Sequence, residues 1–229
     1  MNTKSDKMIS IVIPVYNEAS TINKLIDSLE QFEDCCEIIF VDGGSSDGTN
    51  SIIEEKYALV YSPKKGRAFQ MNYGASLSKG DILLFLHADS FLPSDAINQI
   101  HKMVSQGHKV GCFKIKFDSS SILMKICGFM SNLRVRLRNI AFGDQGIFIR
   151  RSYFYELGEF AEIPIMEDYQ LSIDIKADGE KIALAETKIQ TSERRFVKNG
   201  RLKTMARMQK LQHMYRKGED IEVIANLYK

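Results

Sequence analysis

The chain has 229 residues, of which 44% are hydrophobic, so it is long enough to bury the core of one large domain. Its 31 Lys and Arg residues nearly balance its 29 Asp and Glu residues, and this net charge of +2 argues against a nucleic-acid-binding protein. The cysteines, Cys35, Cys36, Cys112 and Cys127, match no zinc or disulfide spacing and favour reduced, packed thiols of a cytoplasmic protein.

The sequence predicts neither a secretory signal nor a membrane-spanning helix. Residues 1–7 are polar and the short apolar stretch after them contains Pro14, so no secretory signal is predicted. The longest candidate for a membrane span, residues 122–130, is interrupted by Lys125 and is far below the ~20 apolar residues that a spanning helix needs. We therefore expect a soluble cytoplasmic protein, which can still contact the inner face of a membrane.

The first half of the chain predicts alternating strands and helices. Apolar runs without polar alternation, typical of strands covered on both faces, lie at residues 9–15, 38–41, 59–62 and 82–86. Helical patterns follow them over residues 22–29, 50–56, 67–78 and 95–105. This alternation predicts a mostly parallel sheet with right-handed crossovers.

The pattern changes after residue 105. Residues 111–117 alternate polar and apolar side chains, which is typical of a half-exposed, antiparallel strand and suits a sheet edge or an acceptor-side subdomain. The remaining elements predicted are a helix over 121–139, a strand over 146–149, a helix over 168–177 and a strand over 182–189. The fold class is therefore α/β, with a mostly parallel sheet between helices and a small antiparallel portion.

Acidic residues follow three of the apolar runs, at Glu18, Asp42 and Asp89. Because ligands bind at the carboxyl ends of parallel strands, these carboxylates predict one shared pocket. Asp42 can accept a hydrogen bond from the ring N–H of a pyrimidine, and Gly43 beside it lets the backbone approach a ligand closely. Capping of the following turn is the alternative role for Asp42.

Two common nucleotide-binding motifs are absent. The turn after the first strand, residues 14–18, contains no GxGxxG, which argues against a nicotinamide enzyme. The glycine-rich turn at residues 43–48 is not followed by Gly-Lys-Ser/Thr, so it is not a Walker loop. Lys65 and Arg67 flank Gly66 just before a helix, where they can meet a phosphate, although a solvated basic turn is the alternative.

Four ordered motifs closely resemble those of family 2 glycosyltransferases, which have the GT-A fold. They are IPVYNE at 13–18, VDGGSSDGT at 41–49, FLHADS at 85–90 and MEDYQL at 166–171. Three further segments, at 65–72, 143–146 and 191–196, are similar to the subgroup often named for arsenosugar biosynthesis. That subgroup name is a weak guide to substrate.

The resemblance implies transfer of one sugar, with inversion, from a UDP- or GDP-linked donor to an acceptor hydroxyl. In one domain over 1–229, residues 1–110 would bind the nucleotide-sugar, 111–200 would form the acceptor and catalytic half, and 201–229 a basic helical segment. The implied donor-binding residues are Pro14, Tyr16, Glu18, Asp42, Gly43, Lys65, Arg67, His87, Ala88 and Asp89. The acceptor-side residues are Gly143, Asp144, Gln145 and Arg195.

A divalent metal is also implied, because Asp89 occupies the second acidic position of the family's Asp-x-Asp motif. That motif binds Mn²⁺ or Mg²⁺ on the donor diphosphate, but His87 stands at its first position. Both metals favour oxygen ligands when they bridge a diphosphate, although Mn²⁺ tolerates one nitrogen. Hydrogen bonding of His87 to the ribose or a phosphate and packing at the strand end are the alternatives to metal ligation.

Glu167 and Asp168 resemble the acidic pair that supplies the catalytic base in inverting members. Asp168 would accept the proton of the acceptor hydroxyl as that oxygen attacks the anomeric carbon. The alternative is that both acids favour the dipole of a helix by lying in its first turn. Residues 194–196 stand where processive relatives carry Gln-x-x-Arg-Trp, but Ser192 and Phe196 replace the Gln and Trp, which argues against a polysaccharide synthase.

The segment 201–217 projects apolar residues on one helical side and cations on the other. The apolar residues are Met205, Met208, Leu211 and Tyr215, and the cations are Lys203, Arg207, Lys210 and Lys217. Such a helix can lie on an anionic membrane, and many relatives use lipid-linked acceptors. Docking of the apolar side on the domain or on a dimer partner is the alternative, and the oligomeric state is left open.

Two other functions stay as alternatives. A nucleotidyltransferase would carry a glycine-rich basic loop directly after the first strand, and residues 15–18 lack one. A catalytically silent nucleotide-sugar binder is favoured by His87 and disfavoured by Asp168.

Overall fold

The computed structural model describes residues 7–228, so residues 1–6, where no export signal is predicted, and residue 229 lie outside it. Its strands are β1 (Ile9–Val15), β2 (Cys36–Asp42), β3 (Leu59–Tyr61), β4 (Ile82–Phe85), β5 (Ser90–Phe91), β6 (Val110–Phe117), β7 (Ile147–Arg150) and β8 (Ala183–Thr191). Its helices are α1 (Ile22–Leu29), α2 (Thr49–Glu54), α3 (Arg67–Leu77), α4 (Ala96–Ser105), α5 (Ile122–Arg138), α6 (Arg151–Glu156), α7 (Glu167–Ala177), α8 (Arg194–Asn199), α9 (Arg201–Arg216) and α10 (Ile221–Tyr228).

One eight-stranded sheet runs through the domain in the order β3-β2-β1-β4-β7-β6-β8-β5. Strands β1 to β4 pair in parallel, which confirms the alternation predicted for the first half. Strand β7 is antiparallel to both β4 and β6, so it joins the parallel half to the rest of the sheet. The α/β class with a small antiparallel portion is confirmed.

The helices cover both faces of the sheet. Helix α1 buries Ile22, Leu25, Ile26 and Leu29 against one face, as its periodicity predicts. On the other face, α3 and α7 form a second apolar cluster with the strand residues that point away from α1. Strands β1 and β4 are buried along their whole length, which explains their apolar, non-alternating sequences.

The edge position predicted for residues 111–117 is wrong. Strand β6 lies inside the sheet, antiparallel to β7 and parallel to β8. Its alternation has a different cause: Lys114 and Lys116 face outward only at its carboxyl end, whereas Cys112 is buried. A half-covered inner strand and an edge strand therefore share one sequence pattern.

Helix α9 docks on the domain through its apolar side. Leu211 and Met214 are buried in a third cluster with Ile140, Met166 and Ile224. Of the two alternatives for residues 201–217, docking on the domain is therefore the one the structure contains. Helix α10 then covers the same cluster, although nothing in the short sequence after residue 217 predicted it.

Candidate active site

A cavity of about 250 Å³ opens where the carboxyl end of β4 meets the N-terminus of α7. It is lined by residues from both halves of the chain. Of the three strand-end acids predicted to share a pocket, Asp89 lines this cavity and Glu18 and Asp42 do not. The predicted site residues that line it are Arg67, His87, Asp89, Asp144, Asp168 and Arg195. Three carboxyl groups and two guanidinium groups therefore meet in one small space.

Asp168 is held rigidly at the wall of this cavity. The backbone N–H of Gly143 donates to its Oδ2 at 2.8 Å, and the N–H of Tyr169 donates to its Oδ1 at 2.7 Å. Burial raises the pKa of Asp168 to about 6, with a further rise from Glu167, against the lowering effect of Arg67 and the two N–H donors. A carboxyl group with this pKa is ionised near neutral pH and can accept a proton.

A second acid, Asp144, lies in the same cavity with a similar pKa. Burial raises it to about 6, the Arg134 guanidinium opposes that rise, and the Asp168 charge adds to it. Arg134 stacks on the ring of Phe142 with its guanidinium carbon 4.0 Å from the centroid. Its guanidinium also donates to Oε1 of Gln145 at 3.0 Å, so Arg134 is fixed beside both carboxyl groups.

Gln145 does not face the cavity. It is fully buried, and its amide accepts from Arg134 and donates to the carbonyl of Phe113 at 3.3 Å. The structure therefore places Gln145 behind the site, where it orients Arg134. Arg195 does line the cavity, with its guanidinium carbon 3.7 Å from the centroid of the Tyr228 ring.

Gly143 lies against the ring of His87 and is hydrogen-bonded to Asp168. A Cβ atom at Gly143 would overlap the imidazole of His87, so only glycine fits there, and its N–H holds Asp168. The His87 Nε2 is buried without a hydrogen-bond partner among the described residues. Burial and the charge of Arg67 hold the pKa of His87 well below its usual range, so the ring is neutral. His87 therefore lies against Gly143 after the end of β4 and also lines the cavity.

Arg67 and Glu167 form an ion pair across the site. Glu167 is buried, and its carboxylate accepts from Nε of Arg67. Burial lowers the pKa of Arg67, but the nearby carboxylates of Glu167 and Asp168 outweigh burial and raise it, so the guanidinium stays charged. Because its carboxylate is committed to Arg67, Glu167 is poorly placed to take a proton from a substrate.

Asp89 is the carboxylate that fits a metal brought by a diphosphate. Within residues 7–228 no three His, Cys, Asp or Glu side chains are grouped to hold an ion by themselves. A divalent cation on a diphosphate uses one or two carboxylates and completes its shell with phosphate oxygens and water, so one acid is enough. Burial raises the pKa of Asp89, partly offset by Arg194, and a nearby cation would favour its ionised form.

Glu18 is engaged by a residue from the far end of the chain. Its Oε2 accepts from Arg194 at 2.9 Å and from the hydroxyl of Thr21 at 2.6 Å. The backbone N–H of Ser192 donates to the carbonyl of Asp89 at 3.1 Å. The turn after β8 is therefore fastened to the turns that follow β1 and β4.

The carboxylate of Asp42 caps its own turn. It accepts from the N–H groups of Gly44 at 2.8 Å and Ser45 at 3.0 Å, which is the capping alternative described above. The side-chain amide of Gln70 donates to the carbonyls of Val15 and Val41, both at 2.8 Å. The ends of β1 and β2 are thus tied together beneath this turn.

The two buried hydrogen bonds of Gln70 lead to a prediction about stability. Gln70→Leu removes both buried hydrogen bonds and is expected to lower the free energy of unfolding by about 1–3 kcal/mol. Urea unfolding followed by circular dichroism measures this loss. Gln106→Leu, at an exposed position, is the matched control and should change the midpoint little. Equal unfolding midpoints for the two variants would mean that the hydrogen bonds of Gln70 to β1 and β2 do not stabilise the fold.

The other predicted donor residues lie along the same strand ends. Pro14 is buried at the end of β1, whereas Tyr16 beside it is 54% exposed. A Cβ at Gly43 would stand 2.9 Å from Gln70, so the backbone there runs close to that amide. Lys65 is exposed and reaches towards Gly44. Ala88 packs in the core and is not among the residues that line the cavity.

Sequence reasoning missed three residues that hold this site, namely Gln70, Arg134 and Arg194. Arg134 is one of several basic residues on a helix, and no local signal separates it from Arg136 or Arg138. Arg194 is adjacent to the predicted Arg195, but the two side chains reach different partners. Gln70 carried a usable signal, because it and Asn72 are polar residues on the buried side of α3.

An apolar groove of about 340 Å³ adjoins the cavity between α5 and α9. Phe117, Phe142, Asp144, Phe196 and Met208 line both spaces, so the groove leads to the acids. The apolar part of its remaining wall includes Met130, Leu133, Leu137 and Met205, and its polar part includes Arg134, Arg138 and Gln212. An elongated apolar group can lie there with a polar end at Asp144 and Asp168.

The chain is similar in sequence to several named transferases. One similar relative is the undecaprenyl-phosphate 4-deoxy-4-formamido-L-arabinose transferase of Aeromonas hydrophila subsp. hydrophila, 31% identical over 122 residues, covering 48% of this chain and 37% of that protein. The chain spans less than half the length of the curated relatives it matches.

Solved structures of similar fold include the mannosyltransferase PcManGT of Pyrobaculum calidifontis, in complex with GDP-Man and Mn²⁺. It has a TM-score of 0.70 at 18% identity and covers 92% of this chain and 63% of its own. S. aureus TarS 1-349 in complex with UDP-GlcNAc has a TM-score of 0.65 at 15% identity, covering 82% of this chain and 59% of its own.

The sequence profile described as Glycosyl transferase family 2 matches residues 10–158. That span runs from β1 to the end of α6 and includes the strand ends that carry Glu18, Asp42 and Asp89. The likeness to the arsenosugar subgroup stays a prediction. With most of the chain matched and with the sheet of the GT-A fold, this protein belongs to glycosyl transferase family 2.

Proposed function

We propose that the protein transfers a sugar from a nucleotide-diphospho-sugar to an acceptor hydroxyl with inversion. The observation that carries this proposal is the carboxylate of Asp168, held in the cavity by two N–H donors and with a pKa of about 6. The acceptor oxygen would attack the anomeric carbon as its proton passes to Asp168, and the bond from that carbon to the diphosphate oxygen would break. Attack opposite the leaving group inverts the anomeric centre.

The donor side of the proposal uses the strand ends and the cations near them. The turns after β1 and β2, with Tyr16 and Asp42, would hold the nucleotide, and Arg67 would face the diphosphate. The structures of PcManGT with GDP-Man and of TarS with UDP-GlcNAc support a donor of this class. Asp89 would hold a divalent cation, Mn²⁺ or Mg²⁺, which supplies positive charge to the departing diphosphate.

Glu167 has a supporting role in this proposal rather than a chemical one. Its buried ion pair keeps Arg67 beside the cavity, where the guanidinium faces both Asp168 and the place for the diphosphate. We therefore assign the base to Asp168 alone. The predicted acceptor-side residues act together, because Gly143 holds Asp168 and Gln145 holds Arg134 next to Asp144.

A lipid-linked acceptor is the class that the groove supports. The groove between α5 and α9 is apolar and ends at the two acids, so an acyl or isoprenoid chain fits it better than a free sugar does. Relatives named as undecaprenyl-phosphate transferases favour the same class. No helix within residues 7–228 is long and apolar enough to cross a membrane. Contact with the inner face of a membrane from the cytoplasm, and the oligomeric state, stay predictions.

The alternatives are weaker on this geometry. For a nucleotidyltransferase, the turn after β1 offers the exposed Tyr16 and an engaged Glu18 rather than a basic loop. For a silent binder, the burial of Asp168 would have no explanation. Burial destabilises the ionised carboxylate and raises its pKa, and a protein without catalysis gains nothing from this.

A ligand titration tests the proposal. The full chain is expected to be stabilised by UDP- or GDP-sugars more strongly with Mn²⁺ than without, because the cation joins Asp89 to the diphosphate. Thermal unfolding and slow hydrolysis of the donor are the two measurements. Stabilisation by nucleoside triphosphates in preference to any diphospho-sugar would contradict the transferase, and Asp89→Asn should remove the Mn²⁺ effect.

A further inference from the structure

Helix α5 carries a row of apolar side chains that the rest of the described chain leaves uncovered. Ile122, Ile126, Phe129, Met130 and Leu137 are each at least half exposed, from 50% for Ile126 to 74% for Ile122 and Leu137. At 3.6 residues per turn these positions fall within an arc of about 100° on one side of the helix. We name this set the α5 stripe.

The opposite side of α5 is fixed to the sheet. Met124, Gly128 and Val135 are buried, and the side chain of Asn132 accepts from the N–H of Ile115 at 2.8 Å and donates to its carbonyl at 3.3 Å. The helix is thus anchored on β6 in one orientation, and the α5 stripe faces outward as a consequence.

Cations border the stripe, and acids are absent from the helix. The 17 residues of α5 contain Lys125, Arg134, Arg136 and Arg138 and no Asp or Glu. Lys125 and Arg136 lie along one margin of the stripe and Arg138 beyond the other, by their positions around the helix. An apolar arc between cationic margins has the polarity that an interfacial helix shows towards an anionic bilayer.

A basic cavity of about 490 Å³ continues the same margin. Its lining includes the cations Lys114, Lys116, Lys125, Arg136 and Lys188. Among the described residues that line it, none has a carboxylate side chain. Phosphate groups of lipid headgroups match such a cluster in charge and in hydrogen-bonding capacity.

We propose that the protein docks on an anionic lipid bilayer through the α5 stripe, with headgroup phosphates in the basic cavity beside it. The apolar groove between α5 and α9 shares Met130 and Leu137 with the stripe, so docking would place the groove's mouth at the lipid surface. A second copy of the chain is a poorer occupant, because α5 against α5 would bring Lys125 and Arg136 of both copies together. The proposal deepens the proposed function, because it gives a lipid-linked acceptor a way to Asp168, but vesicle binding needs no donor.

Vesicle co-sedimentation of the full chain tests this surface. Binding to vesicles of phosphatidylcholine and phosphatidylglycerol in equal parts should exceed binding to phosphatidylcholine alone. The double variant Phe129→Ser/Leu137→Ser should lose at least about tenfold in partition, because two large side chains no longer enter the interface. Lys125→Glu and Arg136→Glu should each lose about fivefold or more.

Helix α9 offers matched controls at similarly exposed positions. Leu202, which is 70% exposed, gives Leu202→Ser as the control for the stripe, and Lys203→Glu/Lys210→Glu are the controls for charge. These should bind as the unaltered chain does. If they lose binding while the α5 variants keep it, or if no variant of α5 matters, the proposal is wrong.

Three further outcomes decide the occupant. Inorganic phosphate at constant ionic strength should not displace the protein from vesicles, and selective displacement would mean a free-phosphate site instead. The stripe would be assigned to a second copy if the unaltered chain does not bind vesicles and light scattering shows that it is a dimer. In that case Phe129→Ser/Leu137→Ser should be a monomer. Vesicle binding by a chain that binds no nucleotide-sugar would end the proposed function and leave this inference standing.

Discussion

Asp168→Asn is expected to slow sugar transfer by about 10²–10⁴-fold while leaving nucleotide-sugar affinity nearly unchanged. Asparagine keeps the size of the side chain, but its amide cannot take the proton of an attacking hydroxyl. Because the acceptor is unidentified, slow hydrolysis of the donor, in which water replaces the hydroxyl, gives the rate. Calorimetric titration of the donor gives the affinity.

Asp144→Asn is the matched control, because Asp144 lies in the same cavity and its pKa is raised to a similar value of about 6. It should reduce the rate far less than Asp168→Asn does. If the order is reversed, Asp144 is the base and the proposed assignment is wrong.

The pH dependence of the same rate follows from the raised pKa of Asp168. A base acts in its deprotonated form, so the rate should fall as the pH drops through about 6. An ordinary aspartate would keep its activity down to a pH of about 4. The profile reports Asp168 and Asp144 together, since their charges interact, and in Asp144→Asn a single inflection should remain. A rate independent of pH between 5 and 8 would contradict a carboxylate base.

Gly143→Ala is expected to reduce the rate by about 100-fold, because the added Cβ overlaps the His87 imidazole and we expect the backbone to yield together with the ring. That movement takes the Gly143 N–H away from Oδ2 of Asp168, the contact that orients the base. The same overlap should cost about 1–3 kcal/mol in the free energy of unfolding. Donor hydrolysis and urea unfolding measure the two effects.

The double variant Gly143→Ala/His87→Ala separates a steric cause from a general loss of fold. With the imidazole removed, alanine at position 143 has room, so the added methyl should cost much less activity than it does beside His87. His87→Ala alone is the reference for this comparison. If the methyl costs the same activity in both backgrounds, the imidazole is not what excludes it.

The positions of the acids at strand ends were predictable, because each position depends only on the sequence next to it. Asp42 and Asp89 each follow an apolar run, and a parallel sheet brings the ends of such runs to one edge. The role of Asp42 was less accessible, since only coordinates show that its carboxylate accepts from its own turn. Glu167 and Asp168 are neighbours in sequence, yet α7 directs one towards Arg67 and the other into the cavity.

The residues that sequence could not identify depend on contacts between distant segments. Arg134 becomes part of the site only because α5 packs beside residues 143–145, and Arg194 only because β8 ends next to Asp89. The α5 stripe shows the same limit, since an apolar helical side that is buried and one that is exposed read alike in sequence. Both helices have an apolar side, and only the structure shows that α9 buries its apolar side whereas α5 leaves one exposed.

The antiparallel insertion of β7 between β4 and β6 has a consequence for how the chain folds during synthesis. Strands β1 to β4 leave the ribosome as a nearly complete parallel unit, but one side of β4 has no partner until residues 147–150 have been made. An uncovered edge of a fully apolar strand is prone to pair with other chains. We therefore expect nascent chains that end before residue 147 to need chaperone protection, and the folding of the protein to finish late.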